Sequence, residues 1–277
     1  MTSSHEHISM PEAVTPSEGW GVLHLFLRVD HGALRELPPA TGKEFASTLE
    51  RLGDELQLHV FATLGHKADV MVMALSPDIG LLRRAQTEIC QSAAPALRLD
   101  WSYVSLTETS EYTPTAEHHR EELAAKGVTG EDLDRRVEKF AERMAEYNRH
   151  KLYPDLPEWE VAGFYPMSHR RQAADNWYEL PFERRRELMH EHGKSGRAFT
   201  GRVLQLVTGS TGLDDWEWGV TLLAHRIDDI KDVVYTLRFD EASARFAEFG
   251  PFVVGLRRTP AELVEDLGLD GASGARS

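Results

Sequence analysis

Hydrophobic and polar positions change period several times along the chain, and the changes divide it into two similar halves. From Gly19 to Asp30 the run G-V-L-H-L-F-L-R-V is almost unbroken and predicts a strand. Over 42–55, Phe45, Leu49 and Leu52 recur at helical spacing. Strands are predicted near 56–64 and 69–75, joined by G-H-K-A. A helix over 77–93 has Asp78 at its N-cap position, and 97–106 alternates as another strand. The order is βαββαβ, the ferredoxin-like unit. Residues 115–150 are charged and predict surface helices, broken at 126–132, with Thr129 or Gly130 as a cap. After the turn Y-P-D-L-P (153–157) the order restarts. A strand at 158–166 and a helix at 181–193 come first, then strands at 202–208 and 216–224, a helix at 226–238 and a strand at 251–257.

The halves repeat in pattern and hardly in residue identity. Each predicts a sheet with one face in need of a partner. The expected fold is therefore α+β, a dimeric α+β barrel built from two ferredoxin-like βαββαβ units within one chain. The divisions follow: a flexible tail over 1–17, a first unit over 18–110, a helical linker over 111–157, a second unit over 158–258 and a C-terminal tail over 259–277.

The stretch from Glu158 to Gly193 carries the densest chemistry. In strand register, Val161, Gly163, Tyr165, Met167 and, if the strand continues past Pro166, His169 share a face. Pro166 itself suits a sheet edge or bulge better than a central position. Pro181 stands where a helix begins, and Leu188, Met189 and His192 then share a helical face, which His190 does not. A tyrosine, a methionine and a basic side chain from a strand, with a histidine from the next helix, could wall a large, flat, anionic ligand. Gln205 interrupts the apolar run V-L-Q-L-V and needs a hydrogen-bond partner, either backbone or ligand. G-S-T-G-L-D-D lacks the lysine and spacing of a phosphate loop and reads as a hairpin connection. Asp240 and Glu241 read as caps.

Composition narrows the classes. A net charge of -14 argues against nonspecific binding to nucleic acid or an anionic membrane. Cys90 is the only cysteine, so no disulfide framework or thiolate metal site is expected. The polar N-terminus and the absence of a run of about twenty apolar residues predict a cytoplasmic protein. Of the thirteen histidines, His190 and His192 cannot share a metal on one helix, but one imidazole suffices for haem iron. His5 and His7 read as part of the tail, and His118 and His119 as solvated.

The segments F-Y-P-M-S-x-R-R, W-Y-E-L-P, H-G-x-x-G-R, G-S-T-G-L-D-D-W-E-W-G-V-T-L and R-F-D-E-A-S-A-R-F-x-E-F-G-P-F together resemble the coprohaem decarboxylases of the chlorite dismutase-like superfamily. The resemblance runs nearly continuously from about 150 to 257. It implies a homopentamer with haem in the C-terminal half, and a likeness to the branch with a distal glutamine. The implied reaction is hydrogen peroxide-dependent decarboxylation of iron coproporphyrin III (coprohaem) to haem b, through a three-propionate intermediate. Coprohaem is then both substrate and redox cofactor, and coproporphyrin ferrochelatase a transient contact. Carried over residue by residue, the proximal ligand falls on His192, the radical-bearing tyrosine on Tyr165 and the distal glutamine on Gln205. Met167, Arg238 and Ser243 match substrate-contacting positions. Two positions depart from the family: a lysine is His169 here, and an arginine is Lys151. The first makes a charge pH-dependent, and the second loses a bidentate fork. Chlorite dismutase activity is associated with a distal arginine, which Gln205 replaces, and a haem carrier would not need Tyr165.

Overall fold

The computed structural model describes residues 15–38 and 40–270. Most of the tail expected over 1–17, with His5 and His7, lies outside them. The first unit runs β1 (Gly21–Val29), α1 (His31–Leu34), α2 (Thr41–Glu55), β2 (Gln57–Thr63), β3 (Val70–Ser76), α3 (Ile79–Ser92) and β4 (Leu97–Thr107). Helices α4 (Ala116–Ala125) and α5 (Gly130–Leu152) link it to the second. That unit runs β5 (Val161–His169), the small hairpin β6 (Arg171–Gln172) and β7 (Asp175–Asn176), α6 (Phe182–Arg197), β8 (Val203–Gly209) and β9 (Trp218–Ala224). It closes with α7 (Ile227–Leu237), α8 (Glu241–Phe246), β10 (Ala247–Phe249) and β11 (Val253–Arg258), followed by α9 (Pro260–Leu267).

The strands lie in the order β10-β5-β11-β2-β3-β1-β4-β8-β9, with β5 also paired to β9. Eight strands thus form a closed antiparallel ring from which β10 projects, and the α+β barrel expected from the repeat is the observed fold. Each unit contributes four neighbours in the ferredoxin order, β2-β3-β1-β4 and β8-β9-β5-β11. The seams differ in length: β11 meets β2 over four residue pairs, whereas β4 meets β8 over two.

Side-chain alternation sorts the strands into three packed layers. Phe26, Phe61, Met71, Met73, Tyr103, Phe164, Leu206 and Leu223 fill the barrel interior. Leu25, Leu27, Val70 and Val72 face outward onto α2, α3 and α9. On the other side, Tyr165, Val203, Val220 and Leu222 face outward onto Phe199, Val233 and Leu237. A fully buried side chain of this size contributes roughly 1.5–3 kcal/mol, so each layer is a substantial source of stability. His24 is a titratable side chain fully buried inside the barrel. Its Nε2 lies 2.9 Å from Oγ1 of Thr221 in the other unit, and burial pushes its imidazole down to about 3, which keeps it neutral.

Of the two settings expected for Pro166, edge or bulge, the structure has the bulge: the residue lies inside β5, opposite Gly219 of β9, where the register on the strand's other side slips by one between β10 and β11. It is tolerated because β10 pairs with β5 only at 167–169 and β11 only at 161–164. The proline occupies the gap between them, where its carbonyl accepts from Gly250 N at 2.8 Å. The stretch read as a C-terminal tail contains α9, with Thr259 and Glu262 as a reciprocal capping box and Leu263 fully buried against the first unit. A helix of eight residues shows too little periodicity to stand out in sequence. Asp78 caps α3 as expected, accepting from Gly80 N.

Candidate functional site

The site lies on the outward face of β5 and β8, beneath α6, α7 and α8. On α6, Leu188 and Met189 each stand three or four residues from both Arg185 and His192, so the four share a face. Leu188 packs with Trp177, Ala242 and Phe246, which anchors the helix and fixes the height of His192. Asp240 then fixes its rotation. Asp240 is the N-cap of α8, with Oδ1 accepting from Ser243 N at 2.8 Å, and its Oδ2 lies 3.0 Å from Nδ1 of His192. Burial works against the charge on Asp240, but hydrogen bonds with His192 and Ser243 outweigh it and hold the carboxyl below its ordinary value. An ionised carboxylate only accepts, so the imidazole proton is assigned to Nδ1 and Nε2 keeps its lone pair. The Ser243 hydroxyl stands 3.4 Å from the same Nδ1.

Across the sheet, Tyr165 is buried, with ring centroids 4.6 Å from Phe252 and 5.7 Å from Phe249. Burial raises its phenol, and the Arg238 charge acts in the opposite direction. Arg238 is the C-cap residue of α7 through its backbone N–H, and its guanidinium lies 4.9 Å from the ring centroid of Phe249. Met167 follows on β5, opposite Trp218 and Phe249. Gln205 shares the outward face with Val203, since Leu204 and Leu206 point into the barrel. Its amide lies against α6: a Cβ added to Gly196, one turn past His192, would fall 3.3 Å from Nε2 of Gln205. Lys151, at the end of α5, directs Nζ to within 3.5 Å of the Gln205 carbonyl. Burial lowers its ammonium.

The expected residues therefore form neighbouring sets. Lys151 joins Gln205, Arg238 accompanies Tyr165, and His192 is joined by Ser243. His169 ends β5, its ring stacked on Trp177 at 4.1 Å and 4° and meeting Trp218 edge-on at 4.9 Å. Burial, then the charges of His192 and Arg185, push the imidazole down to about 4, so it is neutral near pH 7. Asp240 is more than the cap expected, because the same carboxylate caps α8 and holds His192. His119 is half-buried, its ring stacked on Phe140 at 4.1 Å.

The sequence model of the chlorite dismutase family matches residues 39–258. The chain belongs to that family. Among solved structures, a heme-binding protein from Thermus thermophilus is 32% identical, with TM-score 0.75, over 91% of this chain and 96% of that one. A point-substituted chlorite dismutase from Candidatus Nitrospira defluvii superposes with TM-score 0.68 at 18% identity, covering 91% and 96% of the two chains, which shows a shared fold alone. Curated relatives include a protein of Natronomonas pharaonis, 41% identical over 92% of this chain, provisionally named as heme-binding. A relative from Halobacterium salinarum, named in the same way, is 37% identical over 92% of this chain. The chain spans 42% and 50% of the lengths of those two proteins.

Sequence reasoning missed Asp240 as a partner of His192, although its place in F-D-E-A-S was visible. It also passed over Arg185, within the run R-R-R.

Proposed function

We propose that the protein converts iron coproporphyrin III to haem b by peroxide-dependent oxidative decarboxylation, through a three-propionate intermediate. The observation that carries this reading is His192, tied through Nδ1 to Asp240 so that Nε2 is free to ligate, below a strand bearing Tyr165. Among the described residues no three His, Cys, Asp or Glu side chains gather to hold a metal ion. A lone oriented imidazole fits an iron that brings its own ring nitrogens. The relatives named as heme-binding support the ligand class.

His192 is the iron ligand in this reading. Lys151, Met167, His169, Gln205, Arg238 and Ser243 contact the porphyrin substrate and its carboxylates. The bound iron porphyrin supplies one-electron oxidation once it has met peroxide. Each propionate, with one H2O2 and one proton, yields a vinyl group, carbon dioxide and two waters. Tyr165 keeps its proton in the ground state because it is buried, so its oxidation requires loss of an electron and a proton together. The resulting phenoxyl takes a hydrogen atom from a propionate held beside it, which makes positioning the main task of the site. Gln205 orients a ligand by hydrogen bonding and cannot act as a proton base. The same reading places the protein in the cytoplasm as a homopentamer that receives coprohaem from the ferrochelatase. No helix among the described residues is long and apolar enough to cross a membrane.

The test is mass spectrometry of the porphyrin as peroxide is titrated into the coprohaem complex. Stepwise loss of two carbon dioxide equivalents is expected. Bleaching without decarboxylation would mark a haem carrier, and oxygen release from chlorite without decarboxylation would mark a chlorite dismutase.

A further inference from the structure

The ring of Phe252 lies 4.6 Å from that of Tyr165, tilted by 31°. Phe252 is 36% exposed and Tyr165 only 5%. The covering ring is thus itself poorly covered. Residues 251 and 252 fall between β10 and β11 and belong to no strand pairing. Pro251 has no N–H to contribute. Pro251 and Val253 turn away from Tyr165, toward a cavity of about 380 Å³ that Phe26, Arg28, Asp100 and Trp101 also line. The segment that carries Phe252 therefore spans open space on that side, and packing alone does not fix it.

Lys67 crosses that space from the first unit. It stands in the turn between β2 and β3, and the base of that turn is firmly bonded. Thr63 N donates to Asp69 O at 2.9 Å, Asp69 N to Leu27 O at 2.9 Å, and Val29 N to Asp69 Oδ2 at 2.7 Å. Arg28 braces the turn from β1: its Nη2 donates to Lys67 O and to Asp100 Oδ2, each at 3.2 Å. From this platform Lys67 Nζ donates to Phe252 O at 2.6 Å, and Leu64 N donates to Val254 O at 2.9 Å. The bond from Lys67 is charge-assisted, the stronger kind.

We propose that Lys67 is a positioning residue for Tyr165: through the Phe252 carbonyl it holds the Phe252 ring against the phenol, so the first unit takes part in the chemistry of the second. This rests on the reading above. A phenoxyl must face one propionate, so the tilt of the tyrosine ring governs the rate of hydrogen-atom transfer. Lys67 reaches Tyr165 only through Phe252, so its loss should leave substrate affinity alone and lower turnover.

The experiment compares Lys67→Met, which keeps the stem and loses the donor, with Lys67→Arg, which keeps a cationic donor. Lys67 is exposed, so neither change threatens the fold. With 3-fluorotyrosine placed at position 165, the fluorine NMR line of the substrate-free protein reads the packing of that ring. Lys67→Met should shift or broaden the line, and Lys67→Arg should restore it. At saturating coprohaem and peroxide, Lys67→Met should form the three-propionate product about tenfold more slowly. Its affinity for coprohaem should stay within about twofold of wild type, since positioning acts on rate. Phe252→Leu should slow the reaction likewise, and adding Lys67→Met to it should slow it no further. An unmoved fluorine line overturns the proposal, as does a full effect of Lys67→Met in the Phe252→Leu background. An unchanged rate in Lys67→Met, beside a wild type that decarboxylates, overturns it too. A line that moves and is restored by arginine, in a protein whose wild type yields no decarboxylated porphyrin, refutes the reading above and leaves the hold of Lys67 on Tyr165 standing.

Discussion

Replacing Asp240 by asparagine isolates what its carboxylate does for His192. The wild-type side chain serves two donors at once, Ser243 N at 2.8 Å and the His192 ring at 3.0 Å. Asparagine has one acceptor oxygen. If that oxygen keeps the α8 cap, the amide nitrogen faces Nδ1 and donates to it. The ring proton then moves to Nε2, the atom that must be free to ligate. If the amide flips, His192 keeps its acceptor and the cap loses its own, at about 1 kcal/mol. Loss of an outer partner of a metal-bound histidine typically lowers affinity about 10- to 100-fold, or about 1.4–2.7 kcal/mol. We expect Asp240→Asn to weaken ferric porphyrin binding by that factor and to raise the reduction potential, because the imidazole loses anionic character. Asp240→Ser, which caps a helix but is too short to reach the ring, should match it in both readouts while retaining the wild-type unfolding midpoint. Affinity within twofold of wild type, with an unchanged potential, would show that Asp240 does not orient His192.

His192→Ala should abolish the axial-imidazole spectrum of the ferric complex, and exposed His190→Ala should leave it intact; equal loss in both would reject the ligand assignment. Tyr165→Phe should bind coprohaem within about tenfold of wild type, a cost of roughly 0.5–1.5 kcal/mol, and form no three-propionate product by mass spectrometry; product at the wild-type rate would remove Tyr165 from the reaction. His24, held near 3, is a histidine whose folded value lies below its unfolded one, so its contribution is complete above about pH 6.5 and is lost as pH falls. At about 1.4 kcal/mol per pH unit, wild type should lose roughly 3 kcal/mol more than His24→Gln between pH 6.5 and 4 in urea unfolding, and parallel losses would refute this. Gly42→Ala would set a methyl group 2.5 Å from Leu269 O, so α2 and α9 must part, at about 1–3 kcal/mol in the same assay; an unchanged midpoint would mean that α9 is not docked there.

Most of the fold was legible because it rests on period. Both βαββαβ units appear as alternations of strand and helix spacing, and the merged sheet follows from their unpaired faces. Short elements such as α8, β10 and α9 were not legible, since a few residues carry too little periodic signal. His192 could be chosen over His190 from helical face alone. The neutrality of His169 could not be foreseen, because it depends on Trp177, Trp218 and Arg185, which reach it from other elements. For Pro166 the sequence left edge and bulge open, because the bulge that admits it is made by residues 250–252, some eighty positions later.

The ring also sets an order of assembly during synthesis. β5, the strand that carries Tyr165, finds neighbours only in β9, β10 and β11, all made after it. β11 is the last in chain order of the strands in the ring, and it alone joins β5 to β2. The first unit can collapse on α2 and α3 while the ribosome is still making the second. The strand bearing Tyr165, by contrast, stays without its full set of partners until Arg258 has been added, so the site around Tyr165 and Arg238 takes shape only after the whole second unit has been made.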